Sequence, residues 1–216
     1  MNRAFDFYEY AGILVPGAVL VIGLLWLFPE GRALLTKDGV TLGELGLFVI
    51  VAYAAGQLVQ AVGNYIEWAW WKLWGGIPTA QVLGGKYITE DQHRRIVDSV
   101  RAQRISSDPQ HAEKLSKAQQ LAIAREVYSI VAAGKRASRV DIFNGTYGLM
   151  RGLAAAMLVL MIAAIATSKG LFAIGAFGIG VLLSLQRMHR FSKHYAVELF
   201  VQYLGTTARP GEGDQA

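Results

Sequence analysis

The sequence predicts an all-α integral membrane protein, with four transmembrane helices and a small helical cytosolic region between spans two and three. Two observations carry this fold class. Of 216 residues, 53% are hydrophobic and only 17% charged, where a soluble domain of this length carries about 25%. The missing charge is also local, being absent from long apolar runs while the remainder reads as ordinary soluble protein. Cysteine is absent, which excludes disulfides, thiolate metal sites and cysteine nucleophiles.

The first span is Tyr10–Pro29, "YAGILVPGAVLVIGLLWLFP", an uncharged run long enough to cross a hydrocarbon core of about 30 Å. Pro16-Gly17 within it permits a kink, because proline removes a backbone donor. The preceding "MNRAFDFYEY" lacks the pattern of a cleaved signal, so this run is expected to stay in the mature protein. A second span starts near Gly46 and ends about Trp71. The third and fourth, Gly152–Ser168 and Leu171–Leu185, are joined by Lys169-Gly170 alone. The competing reading of this last pair is a buried hairpin in a soluble bundle, which would require all four apolar runs to be hidden together. Basic residues set the orientation. Segment 72–141 holds twelve, and Arg151, Arg187, Arg190 and Lys193 lie at the same ends of the spans, whereas Arg32, Lys37 and Lys169 stand opposite. The expected arrangement is multi-pass, N-in and C-in.

These spans divide the chain into a first transmembrane hairpin (1–74), a cytosolic helical region (75–140), a second hairpin (141–188), a cytosolic amphipathic helix (189–205) and a disordered tail (206–216). Glycine pairs and a proline make "GGIPTAQVLGGKY" a loop. Thr89 and Gln92 then form a capping box that starts a helix running to about Arg104. A second helix is expected at about 110–133, ending at Gly134. "KRASRVDIFNGTYGLMRG" leads as helix into span three, with Asn144-Gly145 as its weak point. Beyond span four, Leu185, Met188, Phe191, Tyr195, Leu199 and Tyr203 share an arc of about 120°. About 65 residues between spans two and three make too small a core alone, so they are expected to pack on this C-terminal helix or on other subunits.

No enzyme is indicated and no cofactor is called for. Gly84-Gly85-Lys86 lacks the spacing of a phosphate loop, with Ala80 and Tyr87 at two of its fixed positions. His93, His111, His189 and His194 do not pair at metal-ligand spacing. What stands out is a polar seam in span two: Tyr53, Gln57, Gln60, Asn64, Glu67 and Trp71 step by 4, 3, 4, 3 and 4 residues. They occupy roughly 80° of the helix circumference. Polar groups in a span face protein or water. The first five therefore either line a pore made by several copies or act as hydrogen-bond glue within one subunit, worth about 0.6 kcal/mol per contact. Counting about 20 residues from Leu47 puts Glu67 near the cytosolic boundary, where Trp68, Trp70, Trp71 and Trp74 also gather.

The middle segment 72–141 sets its twelve basic residues against seven acidic ones, a net of +5. Arg94, Arg101 and Arg104 lie on one side of the first cytosolic helix, and Lys135, Arg136 and Arg139 crowd a turn. Arginine forks suit phosphates, so a nucleotide or oligonucleotide is one ligand class for these six residues; anionic lipid headgroups are the other.

The opening "FDFYEYAGILVPGAVLVIGLL", the seam "AAGQLVQAVGNYIE" and the late "RMHRFSKHYAVELFVQYL" resemble the small four-span membrane effectors of bacterial anti-phage defence operons, of the Hailong or CBASS type. The resemblance is one of architecture over the whole chain. It implies a homo-oligomeric channel in the lipid bilayer of a bacterial inner (plasma) membrane, gated by a nucleotide or a single-stranded DNA oligomer, with an operon-encoded nucleotidyltransferase as partner. A non-conducting membrane sensor or scaffold that recruits a cytosolic defence partner is the alternative, and a small transporter or membrane enzyme trails both. Topology underlies every version. Reporter fusions should place Arg136 and the C-terminus inside and Lys37 and Lys169 outside; an outward reporter at residue 136 would overturn the scheme.

Overall fold

The computed structural model describes residues 3–35, 41–103 and 116–207, and over these the chain is helical, without a strand. The helices are α1 (Arg3–Leu27), α2 (Pro29–Leu35), α3 (Leu42–Leu73), α4 (Pro78–Leu83), α5 (Glu90–Ala102), α6 (Lys117–Ala133), α7 (Ser138–Ala166) and α8 (Leu171–Thr207). Four of them, α1, α3, α7 and α8, are long and apolar enough to cross a membrane. At 1.5 Å per residue the 32 residues of α3 and 37 of α8 run for about 48 and 55 Å, well past a hydrocarbon core of about 30 Å. The chain divides into two compact units: Met1–Trp70 with Gly145–Arg190, and Trp71–Asn144 with Phe191–Ala216.

The first unit is apolar. Its outer surface carries Ile50, Leu58, Ile162, Phe172, Ile179 and Leu182, all exposed, a distribution that suits hydrocarbon and would be a liability in water. Small residues bring its helices together, as expected where lipid removes the hydrophobic drive for association. A Cβ on Gly17 of α1 would collide with the Ala52 carbonyl of α3, and one on Gly56 would collide with the Ile13 carbonyl. Backbone thus meets backbone at this crossing. Further along, Leu160 of α7 packs with Leu27, Val19, Leu20 and Leu24 of α1, and Gly23 leaves the room that Leu160 fills.

The second unit closes a conventional core. Val82 and Leu83 of α4, Ile96 and Val100 of α5, Ile123, Val127 and Val131 of α6, Val140 of α7, and Ala196, Leu199, Phe200 and Tyr203 of α8 are buried together. Capping boxes start two of its helices: Thr89 with Gln92 begins α5, and Ser116 with Gln119 begins α6. Tyr128 of α6 donates its hydroxyl to Asp141 Oδ1 of α7 at 2.8 Å. Burial, and then the Asp141 carboxylate, push that hydroxyl up to about 12. Arg139 pairs with Glu198 of α8 at 3.3 Å.

Several boundaries differ from the sequence expectation. The stretch expected to be a loop after Trp74 contains α4, with Pro78 at its start and all six residues buried. Proline suits the first turn, where a backbone N–H has no partner to lose. Gln81 on α4 donates to the carbonyls of Trp74 and Gly76 and accepts from the Tyr87 hydroxyl, so the glycine pairs serve as turns around a short helix; Gly85 takes a φ of +88°. A short helix, Pro29–Leu35, follows the first span. Helix α5 stops at Ala102, two residues early. Residues 110–115 lie outside the described residues, and α6 begins at Lys117. Helix α7 runs unbroken through Asn144-Gly145. Thr206 and Thr207, expected in the disordered tail, close the last turn of α8 by donating to the Gln202 and Tyr203 carbonyls; 208–216 lie outside the described residues.

The close crossing of α1 and α3 yields a direct test. Gly56→Ala should destabilise the protein by about 1–3 kcal/mol through overpacking, read as a lowered melting temperature in detergent. Gly46→Ala on the same helix, where a Cβ meets nothing within 4 Å, should be neutral or mildly stabilising. Equal behaviour of the two variants would refute the close crossing.

Candidate functional site

Proline in a helix cannot donate to the carbonyl four residues back. For Pro16 that carbonyl belongs to Gly12, and the structure supplies a substitute donor from another helix. Gln60 Nε2 of α3 donates to the Gly12 oxygen at 2.7 Å and to the Gly148 oxygen of α7 at 3.2 Å. Gly152 makes this possible, since a Cβ there would crowd both the Pro16 ring and Gln60 Nε2. One side-chain amide therefore joins three helices.

Its other end is held by charge. Gln60 Oε1 accepts from Arg151 Nη2 at 3.0 Å and from Arg151 Nε at 3.3 Å. The same guanidinium donates through Nη1 to Glu67 Oε2 at 2.5 Å, and it lies over the Tyr147 ring. Gly63 leaves space for the aliphatic part of Arg151. Arg151 and Glu67 are each roughly a quarter exposed, at 22% and 25% of the side chain. Such opposite charges among spans are costly alone and are expected to pair. One turn beyond Glu67, Trp70 Nε1 donates to His189 Nδ1 of α8 at 3.1 Å.

The seam read from the sequence is thus divided. Gln60 and Glu67 turn toward Arg151, while Tyr53, Gln57 and Asn64 are exposed. Helical angles explain the division. Measured from Tyr53, Gln60 and Glu67 fall roughly 20° and 40° to one side, and Gln57 and Asn64 roughly 40° and 20° to the other. The packed face of α3, with Ala52, Gly56, Val59 and Gly63 buried, lies on the first side. The seam straddles the shoulder of the helix. Trp71, its last member, is buried in the second unit.

The basic residues singled out for phosphate binding have varied surroundings in the described residues. Arg94 faces Glu90 at 3.8 Å, one helical turn away, with both side chains mostly exposed. Arg101 and Lys135 are exposed. Arg139 is engaged with Glu198. Arg136 lies against Gly205, near the C-terminal end of α8, where a cation is favoured by the helix dipole. Arg104 lies outside the described residues. Compared with protein-family models, with curated proteins and with solved structures, the chain matches none. Among the described residues no group of three or more histidine, aspartate or glutamate side chains is placed to hold a metal ion.

Arg151 is a functional candidate that the sequence reading counts only as a mark of orientation. Its signal is present there: one arginine beside a glycine at the edge of an apolar run, with a single carboxylate in another span to receive it. The replacement of the proline's missing donor can be tested by a double-mutant cycle. Gln60→Leu should cost about 1–3 kcal/mol by stranding buried polar groups. In a Pro16→Ala background, where position 16 regains a backbone N–H for the Gly12 carbonyl, that cost should fall by about 1 kcal/mol. Strictly additive melting shifts in detergent would show that Gln60 does not serve the Gly12 carbonyl.

Proposed function

We propose that this protein is an oligomeric membrane effector whose assembled copies form an ion-conducting pore, controlled by a nucleotide or oligonucleotide at its basic cytosolic region. The observation that carries the reading is the outer edge of α3, where Gln57 and Asn64 are exposed beside Leu58, Val62 and Tyr65. A polar group that meets hydrocarbon unpaired costs several kcal/mol. The two amides are seven residues apart, nearly two turns, and so share a face with Tyr53. Several copies arranged about an axis would turn that edge to water or to one another, which removes the cost. In this reading the second unit lies on the cytosolic side of a bacterial inner membrane. The setting in anti-phage defence, and a nucleotidyltransferase as operon partner, rest on the resemblance of the sequence to four-span defence effectors.

One observation favours the non-conducting scaffold as a second reading. Arg94, Arg136 and Arg139 have intrachain neighbours that account for their charge or position, leaving Arg101 and Lys135 as the stronger candidates for a phosphate. The two readings separate in proteoliposomes loaded with an ion-sensitive dye. Conduction predicts ion leak from wild type that falls at least about tenfold in Gln57→Leu or Asn64→Leu, since an apolar ring gates by dewetting, with the oligomer retained. Ligand control predicts saturable binding of a fluorescent single-stranded oligonucleotide that Arg101→Glu weakens. The affinity should fall with salt at a logarithmic slope of about −0.7 per neutralised phosphate. Absence of leak with or without the oligonucleotide would leave the scaffold reading.

A further inference from the structure

We infer that Arg151 is a gating latch: held by Glu67 and Gln60, it keeps α3 in a closed arrangement, and its release returns Glu67 to the conducting seam. This rests on the reading of α3 as pore-lining. Five polar contacts take Gln60 and Glu67 out of the seam: three run through the Arg151 guanidinium, and two fix the Gln60 amide to Gly12 and Gly148 whether or not Arg151 is released. Only Tyr53, Gln57 and Asn64 remain outward. Glu67 is separated from the exposed members by a modest angle on one helix, so a small change in how α7 meets α3 would rejoin it to them. Two discrete arrangements, each biased by a few contacts, are what a switch requires.

The backbone around Arg151 supports such a change. Helix α7 carries Gly145, Gly148 and Gly152 within eight residues, and glycine inside a helix is weaker than alanine by about 1 kcal/mol. Gly152 is explained by packing, because a Cβ there would strike the Pro16 ring. Gly148 is not, since a Cβ there meets nothing within 4 Å. Its lack of a side chain loosens α7 one turn before the latch without gaining any close approach. Lysine in place of Arg151 would keep the charge but lose the fork that reaches Gln60 and Glu67 together.

The absence of cysteine from the chain allows site-directed labelling in an unaltered background. Spin labels at exposed Tyr65 of α3 and Ile162 of α7 report the α3–α7 distance in liposomes, alongside ion flux from the same preparations. The latch predicts one dominant distance in wild type and a second population in Glu67→Gln and Arg151→Lys. Basal flux per oligomer should rise about tenfold in both. Gly148→Ala should lower flux, and the exchange Glu67→Arg with Arg151→Glu should restore the wild-type distance. If the second distance appears while no variant conducts, the latch stands and the pore reading fails. A distance distribution unchanged in Glu67→Gln overturns the latch, whatever the flux.

Discussion

The hydrogen bond from Gln60 to the Gly12 carbonyl is the constraint on which the apolar unit depends. Pro16 leaves the carbonyl of buried Gly12 without its own helix donor, and a buried acceptor left unpaired is costly. A proline kink in a span is tolerated when a neighbour satisfies what it frees, and here the neighbour is a single amide. Placing that amide requires α3 to approach α1 very closely. Gly17 and Gly56 permit this by letting backbone touch backbone. The polar anchor and the small-residue crossing thus lie about one turn apart on the same approach of α1 to α3.

A second consequence concerns α7. Once Gln60 Nε2 is committed to Gly12 and Gly148, its oxygen points the opposite way and needs a donor. Arg151 provides two N–H groups and brings a full positive charge with them. That charge needs an anion, and Glu67 lies two helical turns along the same helix from Gln60. The order of dependence runs from a missing backbone donor, to an amide, to a guanidinium, to a carboxylate. Each member satisfies the one before it and creates the next demand.

Much of the fold is legible in the sequence because it depends on local patterns. Four apolar runs mark the membrane-length helices, and Thr89 with Gln92 announces α5 through a capping box that the structure contains. What fails is local as well: Pro78 reads as a breaker although it can open a helix, and the equivalent box at Ser116 and Gln119 is easily overlooked. The site is harder for a geometric reason. The seam on α3 is visible at 3.6-residue periodicity, but its 80° width, roughly, spans the boundary between a packed and an exposed face. No periodicity argument locates that boundary to within one side chain. It is set by Gly56 and Gly63, whose roles follow from Ile13 and Arg151 on other helices. The basic residues illustrate the reverse case. Their clustering along the sequence is real, yet Arg139 and Arg136 are drawn to Glu198 and the end of α8, which charge counting along a segment does not see.

The Glu67–Arg151 pair is poor cement. A partly dehydrated ion pair gives back in attraction much of what it loses in solvation, so a well-packed apolar pair in the same space is often at least as stable. Breaking one by removing a single partner, by contrast, leaves a charge where none is welcome. An interaction with little net worth when intact and a large penalty when half-broken makes a weak brace but a sharp two-state contact. Its members also sit at 22% and 25% exposure, so neither is fully withdrawn from the surface of the unit. That combination distinguishes Arg151 from the glycines of the α1–α3 crossing. The glycines hold one arrangement through backbone contact, whereas the charged pair meets through side chains alone. The same side of α3 thus contains a fixed crossing at Gly56 and a separable contact at Glu67, about 16 Å further along the helix axis.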